Sequence, residues 1–156
     1  MISFIDILPT MLDWVGHSDK KGSRLGRSFL SILDKERMVD EWDRVFGSHT
    51  FHEITNYYPT RFIRTQRYKY HRNITWKFDF PFARDLYGSL TWEGIRNRKP
   101  VMLGSRTLKD FIRRPPEELY DLEMDPLEIK NLAPDPAHRA LLTELRSDLE
   151  SWATPD

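Results

Sequence analysis

The chain has 156 residues, with 39% hydrophobic and 31% charged side chains and nine Phe, five Trp and six Tyr. Disordered chains of such charge content do not keep so many aromatics, so the composition is that of one ordinary domain or two small ones. Twenty-four basic residues balance 24 acidic ones, which argues against a wholly basic nucleic-acid binder and against an acidic tail protein. No run of about 18 apolar residues is present to cross a membrane as a helix. Zero cysteines exclude disulfides, thiolate zinc sites and thiol nucleophiles.

From the first residue, Met1-Ile2-Ser3-Phe4-Ile5 runs directly into Asp6-Ile7-Leu8-Pro9-Thr10, without the basic region, long apolar run and small-residue cleavage site of a secretory signal. The spacing predicts a helix over 6–15. Asp6 is the expected N-cap, Pro9 lies in the first turn, Leu8, Met11, Leu12 and Val15 are apolar, and Gly16 stands at the left-handed end. A core helix with nothing before it to pack on suggests the latter part of something larger. Its apolar side, with Leu8, Met11, Leu12 and Trp14, is expected either to self-associate or to leave the first 30 residues marginally folded.

Residues 17–25 read as a polar loop and 28–33 as a short amphipathic turn. Residues 44–53 are rich in β-formers and predict a strand. Asn56-Tyr57-Tyr58-Pro59 reads as a turn, and 61–65 and 68–72 as two short strands joined at Gln66-Arg67. Residues 75–90 are aromatic and irregular, 85–97 fit a helix, and Arg113-Arg114-Pro115-Pro116 breaks the chain. A last short strand is expected over 118–122, followed by a turn at Asp125-Pro126. The strongest signal is the final helix, with Asp135 as cap, Pro136 at the first position, and Leu141, Leu142, Leu145, Leu149 and Trp152 on one stripe. These elements predict an α+β fold, a small antiparallel sheet with the C-terminal helix against one face.

Charge is locally uneven. Residues 61–77 hold six Lys or Arg and no acid, whereas 117–128 hold six acids and no base. Either the first segment is a surface for phosphate, nucleic acid or sulfated sugar, or the two segments are neighbouring strands whose charges offset. His49-Thr50-Phe51-His52-Glu53 invites a metal reading, but on a strand residues 49 and 52 face opposite sides, and the helical zinc-protease spacing would need histidine where Asn56 stands. His52 and Glu53 at a strand end fit contacts to a polar ligand in a cleft as well as they fit an ordinary exposed strand end. No glycine-rich phosphate loop, nucleophile elbow or dinucleotide fingerprint is present.

The order Asp6-x-x-Pro9-Thr10-x-Leu12-Asp13-x-x-Gly16 followed by Gly26-Arg27-Ser28-Phe29-Leu30 resembles the end of the catalytic domain of type I sulfatases. Glu118-Leu119-Tyr120-Asp121-Leu122, Asp125-Pro126-x-Glu128 and Asn131-Leu132-Ala133 before a closing helix are similar to the sulfatase C-terminal subdomain. Val45-Phe46-Gly47-Ser48, His52-Glu53-x-Thr55, Tyr58-Pro59-x-Arg61 and Phe78-x-Phe80-Pro81 look most like the sulfamidase branch, the N-sulfoglucosamine sulfohydrolases. The resemblance runs from residue 3 to about residue 153.

It implies an alkaline-phosphatase-like α/β hydrolase of sulfate esters or sulfamates, with residues 1–40 ending its catalytic domain and 41–156 forming its C-terminal subdomain. The family's formylglycine nucleophile, made within Cys/Ser-x-Pro-x-Arg, attacks sulfur through an aldehyde hydrate, and a calcium ion neutralises the sulfate oxygens. No cysteine and no Ser-x-Pro-x-Arg occurs here, so no catalytic residue transfers, and neither cofactor is expected in this chain. The resemblance carries over His52 and Glu53 as substrate-pocket contacts and Arg61 as a weaker candidate, either for a sugar carboxylate or sulfate or for bracing the loop. The expected partners are a missing N-terminal sulfatase domain and a sulfated saccharide, with no nucleic acid or membrane. Alone, the chain is expected to be inactive. The alternative is a non-catalytic module that binds sulfated glycans or another polyanion through 61–77.

Overall fold

A computed structural model describes residues 1–17, 24–53, 56–99 and 101–153. In chain order the elements are α1 (Ile7–Trp14), β1 (Arg44–Phe51), β2 (Tyr57–Thr65), β3 (Tyr68–Asn73), α2 (Arg84–Tyr87) and α3 (Leu90–Arg98). There follow the short strands β4 (Met102–Leu103) and β5 (Arg106–Thr107), α4 (Leu108–Ile112), β6 (Glu117–Asp121) and α5 (Arg139–Ala153). Strands β1-β2-β3-β6 form one antiparallel sheet in that order, and β4 pairs with β5 in a separate ribbon. The α+β class with a C-terminal helix on the sheet is as the sequence predicts.

Helix α5 covers one face of the sheet. Ile63, Tyr70 and Leu119 from β2, β3 and β6 pack against Leu142, Leu145 and Leu149 of the helix, with Leu132 closing the edge. Leu145 and Leu149 are almost fully buried, each stabilising the fold by about 2 kcal/mol through area removed from water. Trp152, the end of the predicted stripe, stacks on Phe46 of β1 with ring centres 5.4 Å apart. The helix start also follows the prediction, since the Asp135 carboxylate accepts from Ala137 N at 2.9 Å beside Pro136. Charge then ties the helix to three strands. Arg44 of β1 reaches Asp148, Arg72 of β3 reaches Glu150, and Arg146 makes two 2.8 Å bonds to Glu117 of β6.

Glu117 also accepts from the Tyr70 hydroxyl at 2.6 Å. Burial works to raise its carboxyl, and the bonds from Arg146 and Tyr70 outweigh that, holding it below the usual range. The basic and acidic segments are indeed neighbouring strands, with β3 pairing with β6 so that Arg72 stands opposite Glu117. Arg67 makes a two-pronged pair with Asp121, and Lys69 reaches Glu128 at 2.7 Å. Much of the apparent polyanion surface is therefore internally neutralised.

Several sequence expectations need correction. Tyr57 to Pro59 is strand, not turn. Between the pairs His49–Thr60 and Phe51–Tyr57, both Tyr58 and Pro59 oppose Thr50 alone, a bulge at which proline's missing N–H breaks no ladder bond. The helix expected over 85–97 is split into α2 and α3, and Ser89 caps the second through Trp92 N. The ribbon and α4 were not anticipated. At the start, Asp6 does not cap α1 with its side chain. A helical turn begins at Phe4, and the Asp6 carboxylate accepts from Ser3 N at 2.8 Å and from Arg27 N at 3.0 Å. Gly26 lies so close to the Ile5 carbonyl that an added Cβ would sit 1.9 Å from its oxygen, so only glycine lets the 24–29 strap reach the helix. Gly16 adopts the expected left-handed conformation, φ 76°. The loop expected over 17–25 falls mostly outside the described residues, as does Thr55.

His71 lies on the sheet face away from α5, against Phe62 at 5.6 Å between ring centres and opposite Glu118. Burial, with help from Lys69, Arg114 and Arg106, pushes its imidazole down to about 3. The unfolded chain therefore takes up this proton first, near 6.5, and the native state near 3. Stability from this group is full above pH 6.5 and is lost as pH falls toward 3, by at most about 1.4 kcal/mol per pH unit. Urea midpoints should fall from pH 6.5 to pH 5, and His71→Gln should flatten that limb; an unchanged slope would remove His71 as the cause. Glu117→Ala, which strands Arg146 and Tyr70, should cost about 2 kcal/mol in urea unfolding, with Glu117→Gln intermediate.

Candidate functional site

The polypeptide between β3 and β6 covers the sheet face opposite α5 with aromatic side chains. Tyr58, fully buried at the bulge, meets Phe80 edge-on with centres 5.1 Å apart. Phe80 touches Phe82 at 6.0 Å, and Phe82 stacks on Phe111 of α4 at 5.4 Å and lies 4.4 Å from Trp92 of α3. Backbone bonds fix the run, since Phe80 N donates to Ile112 O at 2.7 Å and Asn56 Nδ2 donates to Phe82 O at 3.0 Å.

Above this aromatic cluster opens a cavity of about 290 Å³ lined by His49, His52, Asn56, Tyr58, Phe82 and Phe111, among others. The two imidazoles thus share one cavity, contrary to the strand argument that set them on opposite sides. The reason is local. Strand β1 ends at Phe51 and the chain bends at His52, so strict alternation stops between the two histidines. A mostly aromatic cavity with two imidazoles and one amide can receive the apolar face of a sugar ring while hydrogen-bonding its polar groups.

Glu53 is half-buried beside this cavity but does not line it; its carbonyl accepts from Asn56 N at 2.9 Å and so closes the turn that carries Asn56. Arg61 lies elsewhere. It faces the α5 side of the sheet, where it lines a separate groove of about 690 Å³ with Arg72, Arg146 and Trp76. The structure therefore brings His52 together with His49, and places Arg61 on the opposite sheet face.

Tyr58, Asn56, Phe82 and Phe111 were not singled out as site residues by sequence. A signal existed in Phe78-Asp79-Phe80-Pro81-Phe82, an apolar run with neither helical nor strand periodicity. Phe111 gave none, because it belongs to the unanticipated α4.

The cofactors implied by the sulfatase resemblance do not fit the residues present. Among the described residues no three His, Asp or Glu side chains form a group that could hold a metal ion. The sequence also lacks both forms of the formylglycine motif.

The Tyr58 hydroxyl is buried without a hydrogen-bond partner among the described residues, and burial raises its pKa. An unpaired buried hydroxyl costs about 1–3 kcal/mol. Tyr58→Phe should therefore raise the urea midpoint or leave it unchanged; a fall of 1 kcal/mol or more would mean that the hydroxyl has a partner.

No family model matches the chain. It is 35% identical to human N-sulphoglucosamine sulphohydrolase over 97% of its own length and 32% of that protein. It is 31% identical to an ulvan-active sulfatase of Formosa agariphila over 97% of its length and 28% of that protein. In structure it aligns with a 2-O GAG sulfatase at a TM-score of 0.60 and 24% identity, covering 94% of this chain and 23% of the other, which supports the fold alone. The chain spans 23% to 32% of the length of the curated relatives it matches.

Proposed function

We propose that this chain, whose sequence and fold resemble the C-terminal part of sulfatases, serves a sulfate-ester or sulfamate hydrolase by supplying one wall of the saccharide pocket. The similarity to N-sulphoglucosamine sulphohydrolase supports an N-sulfated amino sugar as the substrate. The single observation that carries this role is the joint presentation of His49 and His52 over an aromatic cavity. Their ring nitrogens bind and orient the polar groups of the sugar, while Phe82 and Phe111 exclude water from its apolar face. His52 is the principal contact and Glu53 supports the turn beside it. The nucleophile and the calcium ion, which supplies charge neutralisation at the sulfate when bound, belong to residues beyond these 156.

The burial pattern of α1 supports a partner for that chemistry. The helix buries Pro9 and Thr10, with Asp6 just before it also buried, and leaves Leu8 at 50%, Met11 at 60% and Trp14 at 77% exposure. Thr10 and Asp6 are satisfied by the strap, Phe29 N donating to Thr10 Oγ1 at 3.1 Å, so this pattern is built in. A catalytic domain seated on the apolar side accounts for it better than self-association, because the relatives carry about twice this chain's length in addition to the matched part.

The test replaces the matched third of human N-sulphoglucosamine sulphohydrolase with this chain and measures sulfate release from N-sulfoglucosamine. The chain alone should release none and the chimera should be active. His52→Ala in the chimera should lower kcat/KM by about tenfold, the loss of one good hydrogen bond to substrate. Sulfate release by the isolated chain, or a folded chimera indifferent to His52→Ala, would refute the role.

A further inference from the structure

The groove that holds Arg61 is not isolated. A second cavity of about 850 Å³ lies beyond it and shares Trp76 and Pro116 with it. The first lobe opens on the α5 side of the sheet, beside Arg72 and Glu117, and the second opens on the other side, beside Glu118 and Tyr120. The two adjoin at the end of the β3–β6 pair, where Asn73 N donates to Pro116 O at 2.9 Å. Trp76, 42% exposed, stands at the junction. We propose that these two adjoining cavities form one cleft that binds a sulfated polysaccharide chain, separate from the His49–His52 cavity.

Charge accounting supports an anionic occupant. Four of the cations along the cleft are already matched: Arg72 by Glu150, Arg146 by Glu117, Arg113 by Asp79 and Arg114 by Glu118. Arg61, Lys77 and Arg106 have no carboxylate partner among the described residues. Arg106 is held by the Glu128 carbonyl and lies over the Tyr120 ring, and Lys77 lies over Trp76 at 5.8 Å. Asp110 also lines the second lobe with no cationic partner among the described residues, so each lobe keeps an excess of one cation, with an exposed indole between them. A polymer with repeated sulfates could place one anion in each lobe and lay a sugar face on Trp76. A monosaccharide could fill one lobe alone. Unmatched cations in two adjoining cavities favour a chain over a single sugar, and the choice of a saccharide rests on the function proposed above.

Binding of size-defined heparin oligosaccharides to the full 156-residue chain tests the inference. Affinity should rise from disaccharide to decasaccharide and fall steeply with added salt. Lys77→Glu, at an exposed residue whose replacement leaves the core untouched, should weaken decasaccharide binding by about fivefold or more, and Trp76→Ala should do the same. Lys35→Glu, a charge reversal at an exposed residue that lines neither this cleft nor the His49–His52 cavity, should leave it unchanged. Absence of decasaccharide binding, loss of the length dependence, or sensitivity to Lys35→Glu in place of Lys77→Glu would overturn the proposal. Equal binding of a desulfated decasaccharide, or of single-stranded DNA of the same charge, would overturn the assignment to a sulfated glycan. Failure here would leave monosaccharide hydrolysis by the chimera intact, so the two readings fail separately.

Discussion

The register of β3 against β6 is the constraint from which most of this structure follows. It sets a strand carrying Lys69 and Arg72 beside one carrying Glu117, Glu118 and Asp121, so attraction between segments far apart in sequence adds to the ladder. The same register puts Glu117 under α5, where it accepts from Tyr70 and Arg146 together. One carboxylate thereby joins strand to strand and sheet to helix. It is only partly exposed to solvent, where such bonds are screened less than on an open surface. Bringing β6 next to β3 also forces the intervening polypeptide to return across the far side of the sheet. Phe80, Phe82 and Phe111 are carried there, and the cavity beneath His49 and His52 is a consequence of that return.

Helix α1 obeys a different constraint. An amphipathic helix in a finished domain hides its apolar side and wets its polar side. Here the Gly26–Phe29 strap lies along the polar side and satisfies it with the bonds to Asp6 and Thr10. The close approach of Gly26 to the Ile5 backbone, where a Cβ would clash, holds the strap on this side. The exposed side is therefore a fixed property of the segment, and the proposed role gives it a use as the seat of a larger domain.

Legibility in the sequence tracked how local the determining interaction is. Helix α5 was readable because its cap, its first-position proline and its leucine stripe lie within 18 residues of one another. The hairpin at Gln66-Arg67 was readable for the same reason. Pro59 misled because proline in isolation signals a turn, and only the pairing partner, Thr50, reveals the bulge that accommodates it. His49 and His52 misled through an assumption of unbroken alternation; the end of β1 at Phe51 decides their directions. Short elements such as the β4–β5 ribbon and α4 have too few residues to show periodicity and are fixed by what they pack on. Arg61 and His52 lie nine residues apart, yet the sheet separates them by face, which no count of spacing discloses without the strand assignment of both.

Under the proposed role this division has a chemical sense. Hydrolysis at sulfur needs a strong nucleophile and a divalent cation held to within fractions of an ångström, which favours placing both on one rigid scaffold. Recognition of the sugar tolerates looser geometry and gains from variety in the groups presented. The residues here that can touch a ligand, His49 and His52 in the cavity and Arg61, Trp76 and Lys77 in the cleft, lie outside the leucine core under α5, most of them on the edge strand β1 or in connecting segments. Substitutions among them leave the leucine packing and the Glu117 bonds in place. A subdomain built this way can change which saccharide it admits without disturbing the machinery that cleaves the sulfate.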